Sequence, residues 1–275
     1  MTVRIAHLSD VHFGGELTEA LEAATREVAA FAPTLTVVTG DLTLNGQPSE
    51  FRAAARWLAR LPAPRIVTPG NHDTPYWNLV LRSLAPFDRY RRYIGRAEAG
   101  AFDARELVVR SLNSARGAQP RLNWSRGAIS MRDLRGIDWG PSSSGALRVF
   151  ACHHPLLHLE GAPVEGGVRC GQEAVAALAG AGVDLVLSGH VHNPFVIALP
   201  DAEPGRWAIG AGTLSKRLRG TPAGFTTIVA TDDVYEVNAH GWTGARFEPF
   251  QTWRLPACAV SGRPSPPRTA SARPG

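Results

Sequence analysis

Five apolar runs in this chain each stop at a cluster of aspartate, asparagine or histidine, and this recurrence constrains the fold more than any bulk property. VRIAHLSD (3–10) runs into Asp10-Val11-His12, and LTVVTGD (35–41) ends at Gly40-Asp41. RIVTPGNHD (65–73) ends at Gly70-Asn71-His72-Asp73, LRVFACHH (147–154) at His153-His154, and VDLVLSGH (183–190) at His190-Val191-His192. Short apolar runs bounded by turn residues read as buried strands. Between them, residues 17–31, 49–61 and 171–181 place apolar side chains at helical spacing, with Ser49 as the expected N-cap of the second helix. This strand–helix–strand rhythm predicts an α/β protein with parallel strands and helices packed on them. Ligands bind beyond the carboxyl ends of such strands, so the chain ends would converge on one edge.

The remaining sequence is less regular. Residues 75–98 hold Tyr76, Trp77, Phe87, Tyr90 and Tyr93 among arginines, and read as a helical insertion over one end of the sheet. LVVRSLN (107–113) and GAISM (127–131) read as short strands, and RWAIGAG, GFTTIVA and VYEVNAHGW as a closing antiparallel meander. The expected organisation is one domain over residues 1–258, followed by a Pro/Ser/Arg-rich tail (259–275) without fixed structure.

Composition excludes several classes. With 44% hydrophobic and 19% charged residues, the chain carries enough apolar side chains to offset ordering entropy, so general disorder is excluded. No apolar run approaches the length of a membrane span, and the strand pattern that starts at Val3 leaves no room for a signal peptide. Three cysteines without CxxC spacing do not make a disulfide framework, so a cytoplasmic setting is expected. Of the net charge of +5, three charges belong to Arg263, Arg268 and Arg273 in the acid-free tail. The remainder is a poor match for a nucleic-acid polymer. Lys216 is the only lysine and follows no glycine run, so there is no GxxxxGK[ST] phosphate loop, and no GxGxxG follows a strand.

The strand-end residues have the chemistry of metal ligands. Mixed imidazole and carboxylate ligation suits Zn, Mn, Fe or Co rather than Mg or Ca. Seven such residues are more than one ion needs, which favours a pair, and the carboxylate of Asp41, central in the set, has two oxygens with which to bridge them.

DxH, GD, GNHD, HHP and GHVH in this order resemble the calcineurin-like metallophosphoesterase superfamily, over roughly residues 3–242. Within it, GDLTLNGQPSEF, PGNHD and HHPL are similar to the bacterial class III cyclic-nucleotide phosphodiesterases. The resemblance implies a two-sheet sandwich flanked by helices, a four-layer αββα fold. It implies that Asp10, His12 and His192 bind a first metal, that Asn71, His153 and His190 bind a second, and that Asp41 bridges them. His72, with Asn71, would face the substrate phosphate; His72 would stabilise its charge and protonate the leaving oxygen, and Asp73 would orient His72 by a hydrogen bond. The implied cofactor is two transition-metal ions (Mn, Fe or Zn) that hold a bridging hydroxide for in-line attack. The implied activity is hydrolysis of small phosphodiesters, cyclic nucleotides among them. Phosphomonoesters, nucleotide-sugar pyrophosphates, a nuclease and a non-catalytic scaffold are the alternatives.

Other residues keep two readings. His154 is either a substrate contact or a ring bonded beside the ligands, and Asn113 is either a substrate contact or a turn residue, with Arg116 near it. Cys152 reads as a buried thiol rather than a nucleophile, and His7 as a packed histidine. The run Arg89, Arg91, Arg92, Arg96 reads as a solvated helix face or as a funnel for anions. The aromatic insertion could serve as a lid or as a homodimer surface.

Overall fold

A computed structural model describes residues 2–120, 123–140, 145–161 and 167–258. Twelve strands among these residues form two six-stranded sheets. The first has the order β12-β11-β10-β1-β2-β3, built from β1 (Val3–Leu8), β2 (Leu35–Thr39), β3 (Arg65–Thr68), β10 (Gly224–Ala230), β11 (Val234–Trp242) and β12 (Phe247–Pro256). The second has the order β4-β5-β6-β7-β9-β8, built from β4 (Ala99–Asp103), β5 (Leu107–Leu112), β6 (Leu147–Ala151), β7 (Leu185–Ser188), β8 (Phe195–Ala198) and β9 (Trp207–Gly210). Strands β1–β3 are mutually parallel, as are β5, β6, β7 and β9.

The two-residue alternation of β1 shows how the layers form. Val3 and Ile5 point between the sheets into an apolar cluster with Leu35, Val37, Val149 and Leu185. Ala6 and Leu8 point outward into a second cluster with Leu21 and Val28 of α1 (Thr18–Phe31) and Phe51 and Trp57 of α2 (Pro48–Leu58). Trp57 Nε1 donates to Thr25 Oγ1 at 3.0 Å and ties the two helices together. A third cluster packs α5 (Met131–Arg135) and α6 (Gly171–Gly180) on the far face of the second sheet through Leu134, Ala174, Leu178, Phe150 and Val186. The result is the four-layer αββα sandwich. No helix among the described residues is long and apolar enough to cross a membrane.

Local details differ from the sequence reading. Gln47, not Ser49, caps α2: Pro48 takes the first helical position, where its missing N–H costs nothing, and Glu50 accepts from the Gln47 N–H at 3.0 Å. RWAIG does not join the meander. It forms β9, parallel to β7 in the second sheet, and the meander is β10–β11–β12. GAISM is not a strand: Ala128 makes an isolated bridge to Arg169, and Ser130 caps α5. The stretch 75–98 holds two short helices, α3 (Leu79–Leu84) and α4 (Asp88–Tyr93). Phe87 and Tyr90 anchor α4 in the α1/α2 cluster, so only the first part of this stretch reaches the strand-end edge. The tail expected at 259–275 lies outside the described residues.

Candidate metal centre

All seven strand-end residues expected to ligate metal converge, and all seven are buried. Asp10 and His12 follow β1, Asp41 follows β2, Asn71 follows β3, His153 follows β6, and His190 and His192 follow β7. Both sheets therefore contribute, each through the carboxyl ends of its parallel strands. Asp10, His12, Asp41, His190 and His192 all hold positive φ, between 49° and 70°. That region costs a non-glycine residue about 1 kcal/mol, though Asp and His tolerate it better than most. Five such residues in one cluster mark a backbone bent to aim side chains at a common point. Gly40 also has positive φ (87°), and a Cβ there would stand 2.7 Å from the Gly70 nitrogen and 2.8 Å from His153 Nδ1. The β2 end can lie against the β3 end only because residue 40 has no side chain.

The ring nitrogens sort themselves by their partners. His12 Nδ1 faces Thr43 O at 3.3 Å and His192 Nδ1 faces Arg217 O at 2.6 Å. A carbonyl only accepts, so each Nδ1 carries a proton and Nε2 is the nitrogen each ring offers elsewhere. Those two Nε2 atoms lie 3.2 Å apart. Asp10 Oδ1 lies 3.2 Å from His192 Nε2 and 3.8 Å from His12 Nε2, buried and without a hydrogen bond. Two ring nitrogens and a carboxylate oxygen thus meet at one point, a donor set that suits a metal ion.

A second group repeats the pattern. His153 Nδ1 faces Thr39 O at 2.6 Å, and its Nε2 lies 3.2 Å from Asn71 Oδ1 and 3.4 Å from Asp41 Oδ2. A nitrogen between two oxygen acceptors needs positive charge beside it, either a proton or a metal. Burial opposes protonation, but the Asp41 carboxylate outweighs it and lifts His153 to about 9. His190 packs edge-on against His153 with ring centroids 5.2 Å apart, and its backbone N–H donates to Asp10 Oδ2 at 2.9 Å. Burial drives His12 and His190 down to about 3, so both are neutral ligands at ordinary pH. Asp41 joins the two groups, with Oδ2 3.8 Å from His12 Nε2 as well as near His153. Burial opposes its charge, yet His153 and His72 hold its carboxyl well below the usual range.

Several expected roles need correction. Asp73 does not orient His72. It turns back into the β2 end, where Gly70 N (2.9 Å), Leu42 N (3.2 Å), Thr43 N (2.9 Å) and Thr43 Oγ1 (2.9 Å) all donate to it. A short 3-10 turn over Asn71–Asp73 sends the two neighbouring side chains apart. His72 is instead held by Leu44 O, 2.7 Å from its Nδ1, and its Nε2 accepts from Arg217 Nη1 at 2.8 Å. In this arrangement the ring presents no proton to the cleft. His154 is no substrate contact: it is fully buried, with Nδ1 2.8 Å from Ser114 Oγ and Nε2 2.8 Å from Ser125 O. Asn113 uses Oδ1 to accept from the Ala115 N–H at 2.8 Å, a turn role, and Arg116 donates to the Asn113 and Ala115 carbonyls. Cys152 is fully buried, and burial pushes its thiol up to about 12, far from a nucleophile. His7 lies between the sheets with Nε2 2.9 Å from Thr39 Oγ1. Arg91 pairs with Asp88 and Glu98 at the surface, as a solvated helix face does.

The sequence reading missed Arg217. It follows β9 in the basic stretch Lys216–Arg219, and that stretch was the available signal. Thr213 Oγ1 donates to Asp10 O at 2.6 Å and Lys216 N to Gly15 O at 2.9 Å, so this loop is tied to the β1 end. Beside Asn71, His72 and Arg217 opens a pocket of about 610 Å³, walled by Tyr76, Trp77 and Trp124.

The model of the calcineurin-like phosphoesterase family matches residues 3–194. The chain belongs to that family. A protein of Synechococcus sp. named as a probable cyclic nucleotide phosphodiesterase is 28% identical to this phosphoesterase, over 92% of this chain and 91% of that one. A dimetal phosphatase from Danio rerio shares the fold at TM-score 0.61 and 13% identity, covering 92% of this chain and 98% of its own. A purple acid phosphatase from yellow lupin does so at TM-score 0.60 and 13% identity, covering 98% of this chain and 57% of its own. Phosphoesterases of this family use divalent metal ions, and the His/Asp groups described above fit such ions. The chain is a metal-binding phosphoester hydrolase by family.

Proposed function

We propose that this phosphoesterase hydrolyses small phosphodiesters, cyclic nucleotides among them, at a centre that holds two transition-metal ions. The observation that carries this reading is the meeting of Asp10 Oδ1, His12 Nε2 and His192 Nε2 at one point and of Asn71 Oδ1, Asp41 Oδ2 and His153 Nε2 at another. Asp10, His12 and His192 would hold the first ion, Asn71, His153 and His190 the second, and Asp41 would serve both. The ions, when bound, supply the Lewis acidity that activates water and draws charge off the phosphate.

The chain's own groups do the rest. The carboxylates of Asp10 and Asp41 stay charged despite burial, so they offset the cations' charge. Thr39 O, Thr43 O and Arg217 O accept from Nδ1 of His153, His12 and His192, so Nε2 is the nitrogen each ring turns to the metal site. The backbone N–H of His72 donates to Asp41 Oδ1 at 2.8 Å and holds that carboxylate in place. Among the described residues, Ser125 lines the pocket but its Oγ donates to Asn123 Oδ1 at 2.6 Å, and the Cys152 thiol is fully buried, so direct attack by water fits.

The preference for diesters rests on the Synechococcus relative's name and on the pocket beside His72, which is far larger than a phosphate requires. A panel of bis(p-nitrophenyl) phosphate, 3′,5′-cyclic AMP, p-nitrophenyl phosphate and a nucleotide-sugar pyrophosphate, each with Mn, Fe, Zn and Co, tests the reading. Turnover of the two diesters, abolished by Asp41→Ala, is expected. Turnover of the monoester or the pyrophosphate alone overturns the diester assignment.

A further inference from the structure

We propose that Arg82 is a specificity-determining residue that reads the base of a cyclic nucleotide and favours guanine over adenine. The inference rests on the phosphodiesterase reading of the metal centre and names the substrate that centre takes best. Arg82 stands on α3, in the first part of the 75–98 stretch, and is only 6% exposed. Its Nε donates to Gly117 O at 2.9 Å, and its guanidinium lies 5.6 Å over the Trp124 ring. Residue 117 must lack a side chain for this, because a Cβ there would collide with Arg82 O. The guanidinium is thus held at Nε and on one face. Its two terminal nitrogens have no partner among the described residues: no carboxylate pairs with them and no carbonyl accepts from them. They are not sealed in the interior either, and Arg82 lines the pocket that begins at Asn71 and His72 beside the metal centre. A buried cation with donors unspent at a cavity wall is costly until a guest supplies acceptors.

The rest of the wall says what the guest is. Tyr76 lies parallel to His72 (5°, ring centroids 6.5 Å apart), Trp77 stands edge-on to Tyr76 (4.9 Å), and Trp124 lies beneath Arg82. A run of aromatic faces that starts beside the metal centre suits a flat heterocycle rather than a second phosphate. The polar groups then select the edge of that heterocycle. An asparagine reads adenine by using its amide oxygen and nitrogen together. Asn123 lines the pocket, but its Oδ1 already accepts from Ser125 N at 3.0 Å and from Ser125 Oγ at 2.6 Å, so both lone pairs are spent. Arg82 and Asn123 therefore offer this wall N–H donors only.

Guanine presents two neighbouring acceptors, O6 and N7, which match the fork of a guanidinium. Adenine puts an amino group where O6 stands, and that donor would meet another donor. Arg217 shares the pocket but sits against His72, with Nη1 2.8 Å from His72 Nε2, whereas Arg82 is the guanidinium beside Trp124. One arginine thus borders the metal centre and the other the base.

The test uses the full chain with Mn and compares 3′,5′-cyclic GMP, cyclic IMP, cyclic AMP and bis(p-nitrophenyl) phosphate. Cyclic IMP keeps O6 and N7 and lacks only the 2-amino group of guanine. Its kcat/KM should match that of cyclic GMP within about threefold, and both should exceed cyclic AMP about tenfold, a modest yield for one bidentate contact. Arg82→Lys keeps the stem and the charge but loses the fork, so the preference should fall below about threefold, chiefly through KM. Arg82→Ala should act alike, and its loss on cyclic GMP should exceed its loss on bis(p-nitrophenyl) phosphate, which has no base, by about fivefold or more. A readout without turnover is calorimetric binding to chelator-treated protein. There the parent should hold cyclic GMP about tenfold more tightly than cyclic AMP, and Arg82→Lys should hold the two about equally. Equal or undetectable binding of both nucleotides by the parent, or a guanine preference that survives in both variants, overturns the assignment. Equal losses on cyclic GMP and bis(p-nitrophenyl) phosphate overturn it as well, since Arg82 would then serve the phosphate or the fold. A parent that turns over no phosphoester yet still prefers cyclic GMP in binding overturns the hydrolase reading and leaves the base site standing.

Discussion

His12 and His192 turn their Nε2 atoms toward each other at 3.2 Å, while the Nδ1 of each is committed to a carbonyl oxygen. Asp10 Oδ1 stands 3.2 Å from the His192 nitrogen, so three ligand-type atoms crowd one buried point. A cation turns all three contacts favourable. Metal should therefore stabilise the folded chain as well as activate it. At metal a thousandfold above its Kd the gain is about 4 kcal/mol, a rise in Tm of several degrees. Thermal melts with and without Mn check this, and His192→Ala should abolish most of the rise.

Protonation of the second group sets the pH dependence. His153 titrates near 9 because Asp41 holds its proton against the cost of burial, whereas His12 and His190 are neutral down to about 3. Metal must displace the His153 proton, so affinity should rise with pH and level off near 9, with about one proton released per ion at that group around pH 7. Calorimetry in buffers of different ionisation heat counts the proton. For metal-free protein the sign is opposite. A folded pKa raised above the unfolded value near 6.5 gives stability that is full below 6.5 and lost as pH rises through 9.

Gly70 is required for its lack of a side chain rather than for an unusual backbone angle. A Cβ there would collide with the nitrogen and Oδ1 of Asp41. Gly70→Ala should displace Asp41, cost about 1–3 kcal/mol of stability and strip the second group of its shared carboxylate. Melting temperature and metal content should fall together.

Much of this site was legible because each ligand stands at the end of an apolar run, and the carboxyl ends of parallel strands meet in space. What the sequence hid has physical causes. β4 alternates exposed and half-buried residues, β8 is only half-buried, and β12 exposes most of its length, so these strands lack the continuous apolar run of β1 or β2. Asp73 adjoins His72 in sequence but leaves it in space, because a 3-10 turn separates side chains that adjacency seems to pair. Arg217 comes from a loop 145 residues from His72, a distance no local pattern spans.

Trp77 is 73% exposed at the pocket mouth, Tyr76 is 46% exposed, and Trp124 forms another wall with the Arg82 guanidinium 5.6 Å over its ring. Aromatic faces beside a cationic cleft suit stacking on a flat group of the substrate. Trp77→Ala and Trp124→Ala should each raise KM for a cyclic nucleotide about tenfold and change kcat by less than roughly twofold, the range of a lost stacking contact. An unchanged KM in both would place the substrate elsewhere in the cleft.

The central claim is that this edge holds two ions and that hydrolysis depends on them. The direct measurement strips the purified chain with chelator, restores metal stepwise, and follows bound metal by mass spectrometry together with bis(p-nitrophenyl) phosphate turnover. The expected result is no turnover in the stripped chain and full turnover only as occupancy reaches about two ions per chain. Full turnover in the stripped chain, with chelator still present, would contradict the account.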